Sequence, residues 1–456
     1  MTVATAARSL VERFAVEFPN SRKLHDQARS IFPNGVTHDL RYLEPFPIYV
    51  ERAKGARKWD VDGHELIDYW SGHGALLLGH SHPDVVQAVQ RQVERATHPG
   101  ACHELEIEWG QWVQRLVPSA ERVRFVSSGT EATLMALRLC RMVTNRPKVL
   151  KFAGHFHGWH DFVIPAADPP YDGGPIPGIP TEVSSHTVVI PPNDPAAVER
   201  ALFGDPQIGC VILEPTGGHF GAVPVSGDFL KALRDITARA GRLLIFDEVI
   251  TGFRVHPGGA QGLYGITPDL TTLAKVLAGG LPGGCLAGRA DILAAIEFRP
   301  GQPKMKHPGT FNANPLSASA GVATLKLVAD GEPSRHANSL AQQLRTKLNR
   351  LFAQQNVNWV AYGSFSGFKL LPDYAGPDPT SDDFVPYDGD PDKLDGIKNR
   401  QLVHAFRQGM LLHGVDLPGL GGMTTAAHTE ADIDHTVQAV GGTLKLLRQE
   451  RLIDSK

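Results

Sequence analysis

Short apolar segments alternate with amphipathic segments through the middle of the chain. The strand-like segments are VRFV (123–126), KVLKF (148–152), CVILE (210–214), LLIFDE (243–248), LTTLAK (270–275) and CLAG (285–288). Helical patterns follow at 130–142 and at 229–240. Strands that alternate with helices need crossover connections, so this order predicts a mainly parallel sheet within an α/β fold. The nearly continuous apolar character of the strands indicates that both faces of the sheet are covered.

Proline, glycine and acidic residues mark the limits of this pattern. Segment 165–180 has too many prolines for regular structure, which predicts a long loop of the kind that is often functional. A long helix is predicted from residue 315, and the acidic, proline-rich segment 371–397 predicts an exposed excursion. We therefore expect a large domain over 76–325. The N-terminal segment 1–75 and the C-terminal segment 326–456 are expected to form a smaller α+β domain together.

The composition excludes several classes of partner. Apolar residues make up 42% of the 456 residues and the net charge is −3, so no basic surface for nucleic acid is expected. The sequence has no apolar run long enough for a membrane helix, and its start is a poor signal peptide. Four widely spaced cysteines predict reduced thiols in a cytoplasmic protein.

Three residues at the end of one predicted strand suit a phosphate group. Ser128, Gly129 and Thr130 follow VRFV and open the next helix. The free backbone N–H groups and the positive end of a helix dipole meet at such a junction, and both attract an anion. An ordinary Ser/Thr helix cap, with Glu131 in the first turn, explains the same residues and stays an alternative.

Two charged residues end other buried strands. Asp247 lies at the carboxyl end of LLIFDE, where ligands bind in open α/β sheets, and its burial calls for a cationic partner. Lys275 ends the apolar run LTTLAK, and a desolvated lysine is a usable nucleophile toward a carbonyl group. A structural ion pair at Asp247 and a surface lysine at 275 are the alternatives.

A phosphate cradle, a partner for a pyridine nitrogen and a nucleophilic lysine occur here in the order and spacing typical of fold-type I pyridoxal-phosphate enzymes. The matching segments are SSGTEATLMALR (127–138), GHFHGWHD (154–161), LEPTGG (213–218), LIFDEVITGFRV (244–255), 258–284 and HPGTFNANP (307–315). They resemble the class III aminotransferases, in the branch that contains glutamate-1-semialdehyde aminomutase. The resemblance also includes 60–83 and 427–437, and so runs through nearly the whole chain. It implies a fold-type I transferase with pyridoxal 5′-phosphate as cofactor.

Within that branch, several segments are more similar to the D-phenylglycine aminotransferases. These segments are 71–83, 155–162, 217–226, 359–370 and 411–417. The narrower resemblance implies an aromatic D-amino acid such as D-phenylglycine as amino donor and 2-oxoglutarate as acceptor.

The resemblance assigns roles around the cofactor. Lys275 resembles the Schiff-base lysine, which also moves the proton between the substrate Cα and the cofactor. Asp247 is expected to pair with the pyridine nitrogen, and Val249 to pack on one ring face. Phe156 replaces the tyrosine that the family usually stacks on the other face. The remaining expected cofactor contacts are Ser128, Gly129, Thr130, His157, Glu214 and Thr310.

Thr310 resembles the residue that reaches the phosphate of the neighbouring subunit, which implies a homodimer. Arg41, in GVTHDLRYL (35–43), resembles an arginine that binds the substrate carboxylate, for which a guanidinium is well shaped. The resemblance also places His73 and His219 near the substrate, although each could equally be a structural histidine.

The reaction itself has several possible assignments. An aminotransferase is the main hypothesis, and a glutamate-1-semialdehyde 2,1-aminomutase, a β-amino acid transaminase and an amine transaminase are alternatives. The aminomutases carry a distinctive glutamate in a late loop, whereas the matching segment here, VDLPGLGGMTT (415–425), has no carboxylate after Asp416. The cluster His155, His157 and His160 leaves a zinc hydrolase as a weaker alternative, and a protein that only holds the cofactor is another. We expect no metal site.

Overall fold

The computed structural model describes residues 8–171, 174–379, 381, 384–395 and 399–454. The helices are α1 (Leu10–Glu17), α2 (Pro19–Ala28), α3 (Ser71–Gly74), α4 (Pro83–Val93), α5 (Glu104–Leu116), α6 (Gly129–Thr144), α7 (Thr181–Ser184), α8 (Pro195–Gly204), α9 (Gly218–Gly221), α10 (Gly227–Ala240), α11 (Gly259–Tyr264), α12 (Ala290–Leu293), α13 (Pro315–Val328), α14 (Glu332–Gln354), α15 (Pro391–Asp395), α16 (Arg400–Leu412) and α17 (Glu430–Gln449). Short 3₁₀ segments occur at Pro33–Gly35, Asp39–Arg41, Lys275–Ala278, Ala294–Ile296 and Pro386–Gly389.

The strands form three sheets. They are β1 (Val50–Lys54), β2 (Arg57–Asp60), β3 (Glu65–Asp68), β4 (Arg122–Val126), β5 (Lys148–Phe152), β6 (Thr187–Ile190), β7 (Ile208–Leu213), β8 (Val223–Pro224), β9 (Leu243–Glu248), β10 (Leu270–Ala274), β11 (Gly284–Gly288), β12 (Val360–Tyr362), β13 (Gly367–Leu371), β14 (Val415–Asp416) and β15 (Gly421–Met423). The sheet orders are β4-β11-β10-β9-β7-β5-β6, β1-β2-β3-β14 and β12-β13-β15.

The seven-stranded sheet confirms the predicted, mainly parallel α/β architecture. Strands β10, β9, β7, β5 and β6 run parallel to one another, while β11 is antiparallel to both of its neighbours. Every residue of β7 and of β10 is buried, as expected for strands covered on both faces. The carboxyl ends of β9 and β10, which carry Asp247 and Lys275, therefore lie at the same edge of the sheet.

Helix caps explain where the neighbouring helices begin. Ser128 caps α6 by accepting a hydrogen bond from the N–H of Glu131, and Ser226 caps α10 in the same way through Phe229. Gly241 ends α10 in the left-handed conformation that a glycine adopts without steric cost. These caps fix α6 directly after β4 and α10 directly before β9.

The two ends of the chain share one hydrophobic core. Strand β14 pairs in parallel with β3, so that Val415 lies opposite Ile67. Leu10 of α1 is buried in the same cluster as Phe406 of α16 and Leu444 of α17. The limits proposed at residues 75 and 325 remain a prediction, and the outermost residues 1–7 and 455–456 lie outside the described residues.

The long segment between β5 and α7 contains neither helix nor strand in its described part, as its prolines predict; residues 172 and 173 lie outside the described residues. In the described portion of the chain, no helix combines the length and the apolar character needed to cross a membrane.

Candidate active site

Lys275 lies at the point where β10 gives way to a 3₁₀ turn. Its backbone has φ 53°, in the left-handed region that side chains with a Cβ rarely adopt. The predicted strand therefore ends one residue early, at Ala274. Burial lowers the pKa of Lys275, the buried Arg254 lowers it further, and the carboxylates of Asp247 and Glu214 oppose this shift. A larger fraction of neutral amine makes Lys275 a better nucleophile and proton acceptor.

Asp247 is buried and its carboxylate accepts several hydrogen bonds. Oδ1 accepts from the N–H of Val249 at 3.1 Å and from Oγ1 of Thr272 at 3.0 Å. Oδ2 lies 2.7 Å from Nδ1 of His157. A carboxylate has about four lone-pair sites, so these contacts leave one position on Oδ2 for a further donor. A protonated pyridine nitrogen is such a donor.

The N-terminus of α6 forms a narrow cradle beside this carboxylate. A side chain on Gly129 would place its Cβ 2.9 Å from both methyl groups of Val249, and one on Gly158 would place it 2.6 Å from Oγ1 of Thr130. The Ser128 hydroxyl caps the helix, as the alternative explanation held. The first-turn N–H groups of Gly129 and Thr130 have no acceptor within the helix. An anion can therefore bind these two groups.

Glu214 holds the backbone of two other candidate residues, Phe156 and His219. Its Oε1 accepts hydrogen bonds from the N–H groups of Phe156 at 2.9 Å and His219 at 3.0 Å. The ring of Phe156 is 43% exposed and its centroid lies 6.2 Å from that of His219. Nδ1 of His219 lies 2.9 Å from Oδ2 of Asp395. Burial alone would lower the pKa of His219, but the hydrogen bond and charge of Asp395 outweigh it and raise that pKa.

The three neighbouring histidines have different partners. Nδ1 of His155 accepts from the N–H of Glu214, His157 contacts Asp247, and Nε2 of His160 lies 3.3 Å from Oγ1 of Thr133. Burial lowers the pKa of His160 to about 4. Nε2 of His157 is buried and has no hydrogen-bond partner among the described residues. Within the same residues, no group of three His, Cys, Asp or Glu side chains could hold a metal ion.

His73 and Arg41 both belong to the N-terminal segment, and the charges of Arg41 and Lys275 act on His73. His73 stacks on His38, with ring centroids 4.5 Å apart, and His73 lines a cavity together with Arg41. Burial lowers the pKa of His73 to about 4, and the charges of Arg41 and Lys275 act in the same direction. The exposed Arg41 donates a hydrogen bond to Oγ1 of Thr37 at 2.9 Å.

Thr310 lies apart from this group, in an exposed turn before α13. In the described ranges, no hydrogen bond joins its side chain to the other candidate residues. Its expected role, which involves a neighbouring subunit, stays a prediction.

The structure adds two residues that the sequence did not single out. Thr272 donates to Asp247 from the neighbouring strand. Arg254 is fully buried and donates hydrogen bonds to the carbonyl oxygen atoms of Gly74 and Thr424 at 3.0 and 3.2 Å. In the sequence, Arg254 stands out as a charged residue within the otherwise uncharged segment TGFRV.

The family profile described as Aminotransferase class-III matches residues 41–375. The chain belongs to the class III aminotransferases. It is 40% identical to the glutamate-1-semialdehyde 2,1-aminomutase of Methanopyrus kandleri over 93% of this chain and 96% of that protein.

Solved structures of other class III aminotransferases share the fold. An omega-transaminase from Sphaerobacter thermophilus matches with a TM-score of 0.84 and 32% identity, over 94% of this chain and 98% of that one. A β-phenylalanine aminotransferase from Variovorax paradoxus matches with a TM-score of 0.82 and 30% identity, over 98% of both chains. The fold is therefore that of the fold-type I pyridoxal-phosphate transaminases.

As a class III aminotransferase, the protein uses pyridoxal 5′-phosphate. The residues fit this group: the glycine cradle could accept a phosphate, Asp247 keeps one acceptor position, and Nε2 of His157 is buried without a partner among the described residues. When bound, the cofactor supplies an electron sink for the bond that breaks at the substrate Cα. Asp247 would hold the ring nitrogen protonated, and Thr272 and His157 would keep that carboxylate in place.

Proposed function

We propose that this enzyme moves an amino group from an amino acid to a 2-oxo acid such as 2-oxoglutarate, in two successive half-reactions. The observation that carries the proposal is the kind of side chain that lies close to Lys275. A Cβ built on Gly74 would lie 3.3 Å from Sδ of Met423 and 3.6 Å from Cδ of Lys275. The loop at 415–425, which matches the late loop of the aminomutases, thus places the thioether of Met423 close to Lys275. The carboxylate of this loop, Asp416, binds Lys58 and Trp70.

The roles of the chain's own residues follow from their positions. Lys275 accepts the proton from the substrate Cα, because burial favours its neutral amine. Arg41 binds the substrate carboxylate, and Glu214 holds the backbone of Phe156 and His219 against the site. Phe156 stacks on the cofactor ring opposite Val249.

The amino donor in this proposal is an aromatic D-amino acid such as D-phenylglycine. Support comes from the segments that resemble D-phenylglycine aminotransferases and from the stacked rings of His38 and His73 near Arg41. We also propose a homodimer in which Thr310 reaches the phosphate of the neighbouring active site. The free thiols of Cys140, Cys210 and Cys285, all buried, support a cytoplasmic location.

A second candidate is glutamate-1-semialdehyde 2,1-aminomutase. The curated relatives carry this name at 36–45% identity, and this finding favours the aminomutase more directly than it favours our main proposal. β-Amino acid and amine transaminases are supported by the likeness to the Variovorax and Sphaerobacter enzymes.

A half-reaction separates these candidates. The holoenzyme is mixed with one amino compound and no acceptor, while the absorbance of the bound cofactor and the keto product are followed. The compounds are D- and L-phenylglycine, L-glutamate, β-phenylalanine, an aryl amine and glutamate-1-semialdehyde. One equivalent of keto acid from D-phenylglycine is the expected result. Repeated turnover of the semialdehyde without acceptor would establish the aminomutase and refute the transaminase.

The Lys275→Ala variant provides the mechanistic control. We expect it to lose multiple turnover with every compound, because Lys275 supplies the amine at the end of β10, the strand that pairs with the one carrying Asp247. Sustained turnover by Lys275→Ala would contradict the role of Lys275 for all of these reactions.

A further inference from the structure

Arg254 carries a positive charge in the interior of the protein. Its side chain is fully buried, and burial lowers its pKa to about 10, which leaves the guanidinium protonated at neutral pH. In the part of the chain that the structure describes, no carboxylate forms an ion pair with it. Glu248, the acidic residue nearest to it in the sequence, accepts hydrogen bonds from the N–H groups of Ala260 and Gln261. A buried charge without a counterion is costly, so the charge of Arg254 does not serve stability.

Neutral oxygen atoms hold the guanidinium in place. Nη2 donates a hydrogen bond to the carbonyl oxygen of Gly74 at 3.0 Å. Nη1 donates to the carbonyl oxygen of Thr424 and to Oγ of Ser366, each at 3.2 Å. Nε is buried and lacks an acceptor among the described residues. These partners satisfy several donors but carry no net charge, so the positive charge remains in full.

Gly74 connects Arg254 to Lys275. Its carbonyl oxygen accepts the hydrogen bond from Arg254, and a Cβ built on it would lie 3.6 Å from Cδ of Lys275. A single residue without a side chain thus separates the guanidinium from the lysine side chain. Two cations repel each other strongly over such a distance in the interior of a protein, where water does not screen them.

Charges of both signs act on the amine of Lys275. Asp247 at the end of β9 and Glu214 after β7 favour its protonated form, whereas burial and the charge of Arg254 favour the neutral form. His73 of α3 also interacts with Lys275, but burial lowers the pKa of this histidine to about 4, so it is neutral at pH 7. Arg254 therefore offsets part of the effect of the two carboxylates.

We propose that Arg254 is a positioning residue for the amino-group transfer, and that its unpaired charge keeps the amine of Lys275 in the neutral form that accepts a proton. This inference rests on the proposed role of Lys275 in that transfer. A guanidinium that served only to hold segments together would be stabilised by a carboxylate partner. Here its partners are carbonyl and hydroxyl oxygen atoms, which hold the side chain and leave its charge free to act on Lys275.

Reductive methylation of Lys275 in the full-length apoenzyme tests this proposal without any amino substrate. Formaldehyde with cyanoborohydride modifies neutral amines, and mass spectrometry of the peptide that contains Lys275 gives the rate at each pH. Arg254→Gln keeps hydrogen-bond donors but removes the charge. Where the amine is mostly protonated, this variant should react about tenfold more slowly, because losing the cation raises the pKa of Lys275 by about one unit. Equal rates for Arg254→Gln and the unmodified enzyme would overturn the proposal.

Arg254→Lys separates the charge from the hydrogen bonds. It keeps the charge without the planar fork, and it should react at about the rate of the unmodified enzyme. The rate at high pH, where the amine is neutral in every variant, reports access of the reagent and so distinguishes a loosened structure from a changed charge. If Arg254→Lys is slowed as much as Arg254→Gln, the charge is not the cause and the proposal fails.

Variants of Ser366 keep Arg254 and change its charge balance. Ser366→Asp places a carboxylate next to Nη1 and should slow the methylation in the same way as Arg254→Gln. The matched control, Ser366→Asn, has nearly the same shape without the charge and should not slow it. If the two Ser366 variants react alike, the charge of Arg254 does not reach Lys275. The half-reaction with an amino donor tests the proposed function separately, since the methylation needs no substrate.

Discussion

Nδ1 of His157 lies 2.7 Å from Oδ2 of Asp247, while the opposite nitrogen of the same imidazole, Nε2, is buried and lacks a hydrogen-bond partner within the described residues. One side of the ring therefore supports the carboxylate, and the other side carries a buried polar atom that is left without a partner.

Asp247→Asn tests the electrostatic role of this carboxylate. The amide cannot hold a ring nitrogen protonated, so we expect kcat/KM to fall by about a hundredfold or more. The exposed Asp235→Asn on α10 is the matched control and should keep the normal rate. The measurement is steady-state turnover with saturating cofactor. Normal turnover by Asp247→Asn would show that the charge is not needed.

Gly129→Ala tests the phosphate cradle. The added methyl group would lie 2.9 Å from the side chain of Val249, and overpacking of this kind costs about 1–3 kcal/mol. We expect the affinity for pyridoxal 5′-phosphate, measured by titration of the apoenzyme, to fall about tenfold.

Val249→Ala removes the clash but also a side chain expected on the cofactor ring, so it provides the background for comparison. In that background Gly129→Ala should lower the affinity by less than it does in the unmodified enzyme. Gly204→Ala serves as the control, because nothing lies within 4 Å of the position of its added carbon. If Gly129→Ala lowers the affinity equally in both backgrounds, the contact with Val249 is not the cause.

Lys58→Met tests the buried ion cluster that Lys58 forms with Asp68 and Asp416. Asp68 and Asp416 are 1% and 5% exposed, and both would lose their cation. Removing one partner of a buried ion pair costs about 3–5 kcal/mol, which chemical unfolding should show as a lower free energy of unfolding. Lys231→Met, which breaks the exposed pair with Asp228, should change it by less than about 1 kcal/mol.

His219→Gln tests a pH-dependent contribution to stability. Asp395 raises the pKa of His219 above its ordinary value of 6.5, with Glu214 acting in the same direction and Lys369 against it. A raised pKa means that the pair stabilises the fold fully below pH 6.5 and progressively less as pH rises through the raised pKa. The difference in Tm between wild type and variant should therefore shrink from pH 6 to pH 9. A constant difference would contradict the pairing.

Local sequence patterns were sufficient to predict the central sheet and the charged residues at the ends of its strands, because buried parallel strands have continuous apolar sequences. Strand β6 was missed since its residues, Thr187–Ile190, are only half-buried and few. The antiparallel direction of β11 was also unpredictable, because GCLAG has the same apolar character in either direction.

Within the site, the long-range partners were beyond the sequence. Asp247 and Lys275 end predicted strands, but their neighbours Thr272, Arg254 and Met423 take their places only through packing. The ion pair of Lys58 with Asp416 joins residues 358 positions apart. No local spacing indicates such a contact.

The shared core of the two chain ends has a consequence for synthesis on the ribosome. Leu10 and Ile67 emerge long before Phe406 and Leu444, with which they share one buried cluster. The central sheet can assemble while translation continues, whereas the early segment must wait, with its apolar side chains unprotected, until α17 has left the exit tunnel. Chaperone contact during this interval should therefore concentrate on the segment from Leu10 to Ile67.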